Sequence, residues 1–376
     1  MATALSLSKG GKLEVSGKTR VTAENLAKIY TPGVAEAVKE IMKDPKKVYD
    51  LTWKHNAVAI VTDGTAILGL GDQGPKAALP VMEAKAVLFK QFGGVNAVPI
   101  VLGTKDPDEI VAIIKAIAPG FGGINLEDIS APRCFIIKEK LKDELDIPVF
   151  HDDQYGTAIV VLAGLINASK VAKKNIKKTK IVISGSGAAG VATAKLLTKY
   201  GCKNIIVYDS KGPLYRGRTK DMNFAKIRLS QKTNPSKFQG PIKSALEGAD
   251  IFIGLSKANL LSAEDVSKMN KNAIVFALAN PVPEILPKEA QKGGALVAAS
   301  GRSDFPNQIN NALVFPGIFN GVLKHRIVRI TDDVKIKAAL ALAGIVKSPR
   351  ADKIIPSVLD KRVVKAISNV FQKKKA

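Results

Sequence analysis

The stretch from residue 180 to residue 209 constrains the fold of this chain more than any other. The apolar run Lys180–Ser184 leads into Gly185-Ser186-Gly187-Ala188-Ala189-Gly190, a helical segment follows to Tyr200, and a second apolar run ends at Asp209. In a strand–loop–helix–strand unit, such glycines let backbone N–H groups approach a pyrophosphate, and the terminal acid binds ribose hydroxyls. We therefore predict a dinucleotide-binding unit, with residues 185–190 and Asp209 as cofactor-binding residues.

Apolar runs also alternate with helical segments elsewhere, which is typical of a parallel α/β sheet. Strands are expected near residues 57–61, 98–102, 123–126, 147–150, 251–255, 273–278 and 295–299, with helical segments from about 332 to 372. A chain of 376 residues is long for a single core. The predicted fold is α/β with two units. Residues 1–155 form an N-terminal α/β unit, and residues 156–376 form a Rossmann-type doubly wound unit with C-terminal helices.

Two acidic pairs follow predicted strands of the first unit. Glu127 and Asp128 come after one strand, and Asp152 and Asp153 come after the next, directly before a long apolar helix. Because parallel strands end at the same edge of a sheet, the pairs are expected to lie together. The helix N-terminus favours anions, so we expect Asp152 and Asp153 to be ionised. Clustered carboxylates with no nearby cysteine predict Mg²⁺ or Mn²⁺ rather than zinc. Taken singly, each pair can also be an ordinary helix cap.

Four other polar residues are candidates with two open interpretations each. Lys85 lies among apolar residues of a helix expected over residues 79–92. If it is buried, its pKa is lowered and it can act as a base; if it is exposed, it is a surface lysine. Tyr30, at a helix-breaking Pro-Gly turn, is a proton donor or a packed aromatic ring. Asn280 and Asn311 follow predicted strands, where amide side chains either face a nicotinamide or only form turns.

Composition argues against several classes of protein. No apolar run reaches the ~18 to 20 residues of a membrane span, and residues 1–5 are too short for a signal peptide, so a cytoplasmic protein without membrane contact is expected. Cys134 and Cys202 lie far apart, and we expect both to be buried and unpaired. The formal net charge is +24, but the basic residues are spread out, with short runs such as the tail Lys373–Lys375. We therefore expect no nucleic-acid binding, and a field that attracts acidic substrates.

Taken in order, these motifs resemble the malic enzyme family, specifically its short prokaryotic type. The matching segments extend over about residues 20 to 325: Tyr30-Thr31-Pro32-Gly33-Val34-Ala35, Val61-Thr62-Asp63-Gly64, Leu68-Gly69-Leu70-Gly71, Pro80-Val81-Met82-Glu83-Ala84-Lys85, Asn125-Leu126-Glu127-Asp128, Asp152-Asp153-Gln154-Tyr155-Gly156-Thr157-Ala158, the glycine loop, Ala279-Asn280-Pro281 and Asn310-Asn311. The chain departs from the family's usual residues at Ala84 and Tyr155. Ala66 stands where larger eukaryotic members have an arginine that meets a substrate carboxylate, so the group that holds the distal carboxylate stays open.

The resemblance implies an NAD- or NADP-dependent enzyme that converts malate to pyruvate and CO₂ with Mg²⁺ or Mn²⁺, working as a homodimer or higher homo-oligomer. It implies that the metal is bound by Glu127, Asp128 and Asp153. It also implies roles for residues that their own context leaves open: Lys85 as the base, Tyr30 as the acid, Asp152 as a supporting catalytic residue, and Asn280 and Asn311 on substrate and nicotinamide.

Several alternatives stay open at this point. An oxaloacetate decarboxylase or a malolactic enzyme would use the same set of groups, and a non-catalytic sensor of NAD and metabolites would bind without turnover. The nucleotide is also undecided. Asp209 favours NAD by repelling a 2′-phosphate, whereas Lys211, Arg216 and Arg218 follow it and can neutralise one.

Overall fold

The structure, a computed structural model, describes residues 3–372, so the basic tail lies outside the described residues. Four strands form a first sheet: β1 (Ala57–Thr62), β2 (Asn96–Val101), β3 (Gly123–Leu126) and β4 (Val149–His151). They are all parallel, in the order β2-β1-β3-β4. Every residue of β1 is buried, as expected for a continuous apolar run inside a parallel sheet.

Six strands form a second sheet: β5 (Lys180–Ser184), β6 (Asn204–Asp209), β7 (Gly212–Pro213), β8 (Ile251–Gly254), β9 (Ala273–Ala277) and β10 (Ala295–Ser300). Their order is β10-β9-β8-β5-β6-β7, and only β7 is antiparallel to its neighbour. The chain order reverses direction at β5, with β6 on one side and β8 on the other. A doubly wound sheet binds ligands at the carboxyl ends of the strands beside such a switch point. The predicted strands and the doubly wound fold are confirmed.

Helices connect and cover the strands. Those up to the first sheet's last strand are α1 (Leu26–Ile29), α2 (Val34–Lys43), α3 (Val48–Leu51), α4 (Gly74–Gly93), α5 (Pro107–Ile117) and α6 (Arg133–Glu144). Those that follow are α7 (Asp152–Val171), α8 (Ala188–Tyr200), α9 (Phe224–Ser230), α10 (Ile242–Ala245), α11 (Ala263–Ser267), α12 (Pro287–Lys292), α13 (Phe315–Lys324), α14 (Asp332–Ala343) and α15 (Arg362–Ser368).

Two helices begin earlier than their apolar patterns predict. Helix α4 begins at Gly74 rather than at residue 79, because Pro75 occupies its first turn, where proline lacks only an N–H that would be unpaired anyway. Helix α7 begins at Asp152, so the acidic pair forms its first two residues instead of preceding it. The acidic groups therefore have a fixed helical spacing.

The C-terminal helices do not pack only on the second sheet. Helix α13 lies against α4, with the Phe315 and Phe319 rings 4.6 and 5.3 Å from the ring of Phe89. Asn320 also donates a hydrogen bond of 2.9 Å to the Gly93 carbonyl. The return of the chain to the first unit holds the two sheets together. The division at residue 155 stays a prediction, and it falls within the first turn of α7.

The N-terminal segment is unusual because none of residues 3–53 is buried. Its longest helix, α2, exposes Val34, Val38 and Met42, which share one face at a spacing of four residues. Elsewhere, Cys134 and Cys202 are buried and unpaired, as predicted. Within residues 3–372, no helix combines the length and the apolar character that crossing a membrane requires.

Candidate active site

The two acidic pairs meet at the carboxyl edge of the first sheet, as predicted. Glu127 and Asp128 follow β3, and Asp153 lies in the first turn of α7, directly after β4. One carboxylate oxygen from each of these three residues lies within 4.8 Å of the others. The Asp153 carboxylate accepts a hydrogen bond of 2.8 Å from the backbone N–H of Asp128, which ties the two strand ends together.

Lys85 reaches this cluster from α4. Its ammonium group forms ion pairs with Glu127, at 2.6 Å, and with Asp152. Nζ also lies 4.4 Å from the centroid of the Phe315 ring. Lys85 is 7% exposed and Asp152 is fully buried. The interpretation of Lys85 as a surface lysine is therefore wrong.

The protein groups alone give protonation states that differ from those expected from the sequence. Burial lowers the pKa of Lys85, but the carboxylates of Asp152, Glu127 and Asp153 outweigh it and hold that pKa above its ordinary value. Burial raises the pKa of Asp152 to about 7 and also raises the pKa of Glu127, Asp128 and Asp153. From the protein groups alone, the pKa of Lys85 is therefore raised, where burial by itself would lower it, and the pKa values of Asp152 and Asp153 are raised as well.

These residues fit a divalent cation bound through oxygen atoms. The buried site contains four carboxyl groups but a single ammonium group, that of Lys85. If the carboxyl groups are ionised, part of their negative charge is uncompensated, and burying such charge costs free energy. In addition, Asp128 Oδ2 is buried and has no hydrogen-bond partner within residues 3–372. Carboxylate oxygens of this kind are the ligands that Mg²⁺ and Mn²⁺ prefer. A cation between Glu127, Asp128 and Asp153 would compensate the charge.

The helix that carries these acids needs a glycine at position 156, because Asp152 lies close to it. A Cβ atom at this position would lie 1.8 Å from Asp152 Oδ1. Any side chain here would displace the Asp152 carboxylate and with it the ion pair to Lys85. The glycine of the Asp152–Ala158 motif is thus required by the packing of Asp152.

An ion pair beside the cluster was not foreseen from the sequence. Arg133 donates a hydrogen bond of 2.7 Å to buried Asp63 and another of 2.7 Å to the Thr65 hydroxyl. In the same loop, the Ala66 N–H donates to the Asp128 carbonyl at 2.9 Å. These contacts hold the loop after β1 against the cluster. The sequence feature that could have indicated this ion pair is Asp63, which directly follows a strand, as the acids of the cluster do.

A cavity of about 350 Å³ extends from the cluster to the second sheet. The first unit contributes Lys85 and the three acidic residues of the cluster. The second unit contributes Ala189 of the glycine loop, together with Asn280 and Asn311. Asn310 of the Asn310-Asn311 motif also lines it, as does Ser256, which sequence reasoning missed. The cavity therefore brings together most of the predicted catalytic and substrate residues.

A larger cavity of about 690 Å³ adjoins the first, since Leu255 and Ser256 line both. Its walls include Asp209 and, from the glycine loop at the N-terminus of α8, Gly185, Ser186 and Gly187. Gly190 packs behind the loop, where a Cβ would lie 1.9 Å from the Gly185 carbonyl oxygen. This is the arrangement that pyrophosphate binding requires, because backbone N–H groups then face the ligand.

Glu284 is a second residue that sequence reasoning missed. Its buried carboxylate accepts hydrogen bonds from the N–H groups of Ser256, at 2.8 Å, and Ala279, at 3.0 Å. It therefore links the loops after β8 and β9, both of which line the smaller cavity. Its only sequence signal is its place in a proline-rich loop four residues after Asn280.

Asp209 does not stand free at the end of β6. Arg218 donates to its two carboxylate oxygens at 3.0 and 2.9 Å, and Lys226 donates at 2.7 Å. Burial raises the pKa of Asp209, but the hydrogen bonds outweigh this and hold it below its ordinary value. Of the expected cations, Arg218 pairs with Asp209, Lys211 donates only its backbone N–H, and Arg216 makes no hydrogen bond to it within residues 3–372. Lys226 was not foreseen.

Of the predicted catalytic residues, Lys85 lines the smaller cavity, Asp152 is buried against Lys85, and Tyr30 is placed apart from them. It follows α1, is 68% exposed, and is absent from the cavity walls formed by the described residues. Its ring is therefore not packed in the core of its own chain.

Comparison with known proteins covers nearly the whole chain. The model of the malic enzyme N-terminal domain matches residues 11–106 and 103–142, and the model of the malic enzyme NAD binding domain matches residues 154–372. A bifunctional malic/malolactic enzyme of Bacillus subtilis (strain 168) is 53% identical over 366 residues, which are 96% of this chain and 89% of the relative. An NADP-dependent malic enzyme of Rhizobium meliloti (strain 1021) is 45% identical over 96% of this chain and 50% of the relative.

A solved structure extends the similarity to three dimensions. The NAD-dependent malic enzyme of Thermotoga maritima superposes with a TM-score of 0.95 at 44% identity, over 99% of both chains. A doubly wound sheet whose glycine loop lies across a cavity from clustered carboxylates and a buried lysine defines a dinucleotide-dependent oxidoreductase. The two family models and these relatives agree on the family of oxidoreductases. The chain belongs to the malic enzyme family.

Proposed function

We infer that this chain converts L-malate to pyruvate and CO₂ and reduces NAD⁺ or NADP⁺, with Mg²⁺ or Mn²⁺ as a cofactor. The observation that carries this inference is the position of Lys85. It is buried, paired with Asp152 and Glu127, and lines a cavity that also contains Ala189 of the glycine loop. A proton acceptor, a carboxylate cluster and a dinucleotide loop are the groups that an oxidation followed by decarboxylation needs.

In this proposal each residue has a defined task. Glu127, Asp128 and Asp153 would hold the cation, which when bound would supply Lewis-acid chemistry, and the glycine loop would hold the dinucleotide, which would supply a hydride acceptor. Lys85 accepts the C2 hydroxyl proton at Nζ, and Asp152 orients it. A bound cation would offset part of the carboxylate charge that raises the pKa of Lys85.

The remaining predicted residues act on the substrate and the nicotinamide. Asn280 and Asn311 donate amide hydrogen bonds, and Tyr30 returns a proton to C3 after CO₂ has left.

A single assay tests the proposed reaction. The protein is incubated with L-malate and Mn²⁺, with NAD⁺ and NADP⁺ in parallel, and each reaction is repeated with EDTA. Metal-dependent nicotinamide reduction with an equal amount of pyruvate is the expected result. No turnover with any nucleotide and metal would leave the alternative of a binding protein without catalysis.

A second candidate reaction is the malolactic conversion, because the Bacillus subtilis relative is named as a bifunctional malic/malolactic enzyme. The same groups would then convert malate to lactate and CO₂ with no net reduced nicotinamide. Lactate formed in place of reduced nucleotide would favour it. CO₂ from oxaloacetate alone would favour a decarboxylase instead.

We propose that Lys226 lets the enzyme accept NADP⁺ beside Asp209. Two cations face one carboxylate there, so a 2′-phosphate would not meet an unpaired negative charge. Replacing Lys226 by alanine should raise the KM for NADP⁺ about 10-fold, as expected for a lost charge-assisted hydrogen bond. The KM for NAD⁺ should change much less. Lys232→Ala, which removes an exposed lysine nearby, is the control, and an equal loss for both nucleotides would contradict the proposal.

We also propose that the chain works as a homo-oligomer in which Tyr30 serves a neighbouring subunit. Two observations support this. None of residues 3–53 is fully buried in its own chain, and Val34, Val38 and Met42 leave an apolar face of α2 exposed. A surface of this kind is typical of an interface. Tyr30 lies in the same segment, directly before α2.

Mixing two inactive variants tests this arrangement. Tyr30→Phe and Lys85→Met subunits are expected to be inactive alone and to regain activity when mixed. If Tyr30 acts across the interface of a dimer, each mixed dimer has one site with both residues intact, so random exchange should restore roughly a quarter of the sites. If mass spectrometry shows mixed dimers without recovered activity, Tyr30 does not act on the neighbouring subunit.

A further inference from the structure

A third cavity, of about 480 Å³, shares no lining residue with the two cavities of the active site. It lies between α6, the start of α7, α8 and the segment of residues 328–335. On α7, Asp153 and Thr157 line the active-site cavity, whereas Tyr155 lines this one. Residues two apart on a helix are about 200° apart around its axis, so the two cavities lie on opposite faces of the same helix.

The walls of this cavity carry an excess of positive charge. Five basic residues line it, against two acidic ones: Lys138, Lys142, Lys195, Arg329 and Lys335, with Glu139 and Asp332. Lys138 pairs with Glu139, Lys142 pairs with the same carboxylate at 3.7 Å, and Lys335 pairs with Asp332 at 2.8 Å. Lys195 forms no ion pair within residues 3–372. The positive charge of the cavity is therefore only partly compensated by the protein.

Two of these lysines are held inside the cavity rather than extended into solvent. Lys138 and Lys335 are 7% and 5% exposed. Both contact Tyr155: Lys138 Nζ donates to its hydroxyl at 2.8 Å, and Lys335 Nζ lies 3.5 Å from the ring centroid. Burial lowers the pKa of Lys335 to about 8, which records the cost of keeping this charge away from water.

A scattered surface of solvated lysines does not explain this arrangement. Surface lysines normally extend into water, where like charges are screened, but here the ammonium groups converge on one concave space with apolar walls from Val149, Leu196 and Val328. In such surroundings an anion gains more from each cation than it would in water. Convergent buried cations are thus the arrangement expected of an anion site.

We propose that this cavity binds a small multivalent anion, a molecule with two or three carboxylate or phosphate charges. Its volume lies within the range of small-ligand pockets. Lys142 and Lys195 are exposed at the cavity and would contact the anion's outer groups, while Lys138 and Lys335 would contact those inside.

Binding can be measured by calorimetry on the full chain with two probes, inorganic pyrophosphate and propane-1,2,3-tricarboxylate. NAD⁺ is present at saturation to fill the dinucleotide cavity, and divalent cations are removed beforehand with a chelating resin, so that no soluble chelator competes with the probes. Saturable binding of either probe supports the site, and the pattern identifies the chemistry: binding of only one probe indicates phosphate or carboxylate recognition, and competition between both indicates recognition by charge. If neither probe binds at low ionic strength, the proposal is wrong.

Matched variants separate this cavity from the general positive charge of the chain. The double variant Lys142→Met with Lys195→Met should weaken binding at least ~10-fold. The control double variant, Lys232→Met with Lys288→Met, removes the same charge from exposed positions outside all three cavities and should stay within about 2-fold of the parent. Equal weakening in both would mean that the net charge alone attracts the probes, which overturns the proposal.

Chemical labelling locates the bound anion independently of these variants. An amine-acylating reagent should modify Lys195, which lines the cavity and is exposed, in the free protein, and a saturating probe should protect it, as followed by mass spectrometry of the digested chain. Lys288 serves as the internal reference, since it should be labelled equally in both cases. Tight binding without protection of Lys195 would place the anion elsewhere and contradict the proposal.

Discussion

Replacing Lys85 by methionine is expected to lower kcat with malate at least ~10²-fold, the usual size of a general acid–base contribution. Methionine keeps an apolar stem against Phe315 but removes the ammonium group that pairs with Asp152 and Glu127. Nucleotide affinity, measured by fluorescence titration, should stay near that of the parent, because Lys85 does not line the larger cavity. The assay uses saturating Mn²⁺, so that the unpaired carboxylates are compensated.

The control for this variant is Lys90→Met on the same helix. Lys90 is exposed, and within residues 3–372 its ammonium group donates a hydrogen bond to Asn96 alone, so its loss should leave kcat unchanged. If higher Mn²⁺ restored the activity of Lys85→Met, the lysine would act through the cation site and not on the substrate. A kcat within 10-fold of the parent would refute its role as the base.

Asp128→Asn should have the second largest effect. Asp128 has a φ of 52°, a left-handed conformation that asparagine also tolerates, so the variant removes a charge without straining the backbone. One anionic ligand of the cation is lost, and kcat/KM at low Mn²⁺ should fall at least ~10²-fold, since a Lewis acid contributes several kcal/mol. Calorimetry should show weaker Mn²⁺ binding in parallel.

In EDTA, by contrast, Asp128→Asn should be more stable than the parent protein. The pKa of Asp128 is raised in the folded chain, so the folded state holds its proton more strongly than the unfolded state does. Such a carboxyl opposes folding, and stability falls as the pH rises from the unfolded pKa towards the folded one. In EDTA, the Tm of Asp128→Asn should therefore exceed that of the parent and decrease less between acid and neutral pH. Exposed Asp108→Asn is the control, and a lower Tm for Asp128→Asn in EDTA would contradict this account.

Much of the architecture could be predicted from local pattern. Strand–helix alternation, the glycine loop and the acids at strand ends depend on periodicity and on the rule that parallel strands end at one edge. For this reason Glu127 and Asp153 were expected together, and the structure brings them together. Helix starts were less well predicted, because Pro75 and Asp152 extend helices beyond the apolar pattern that identified them.

The electrostatics of the site could not be predicted in this way. The raised pKa of Lys85 depends on the distances to Asp152 and Glu127, which are 67 and 42 positions away in the chain. The pairing of Lys226 with Asp209 likewise depends on the path of a loop. Sequence context indicated which groups lie in unusual surroundings. The direction of each pKa shift, however, depends on how far apart the charged groups lie in space.

Helix α7 connects the cation site to the nucleotide site. Its first turn carries Asp152 and Asp153, its length packs along α8, and α8 begins at the glycine loop. A shift of α8 that accompanies nucleotide binding would therefore move two carboxylates relative to Glu127 on β3. By thermodynamic reciprocity, if the nucleotide tightens cation binding by some factor, the cation tightens nucleotide binding by the same factor. Titrations of the two ligands would then report one cooperative unit rather than two independent sites.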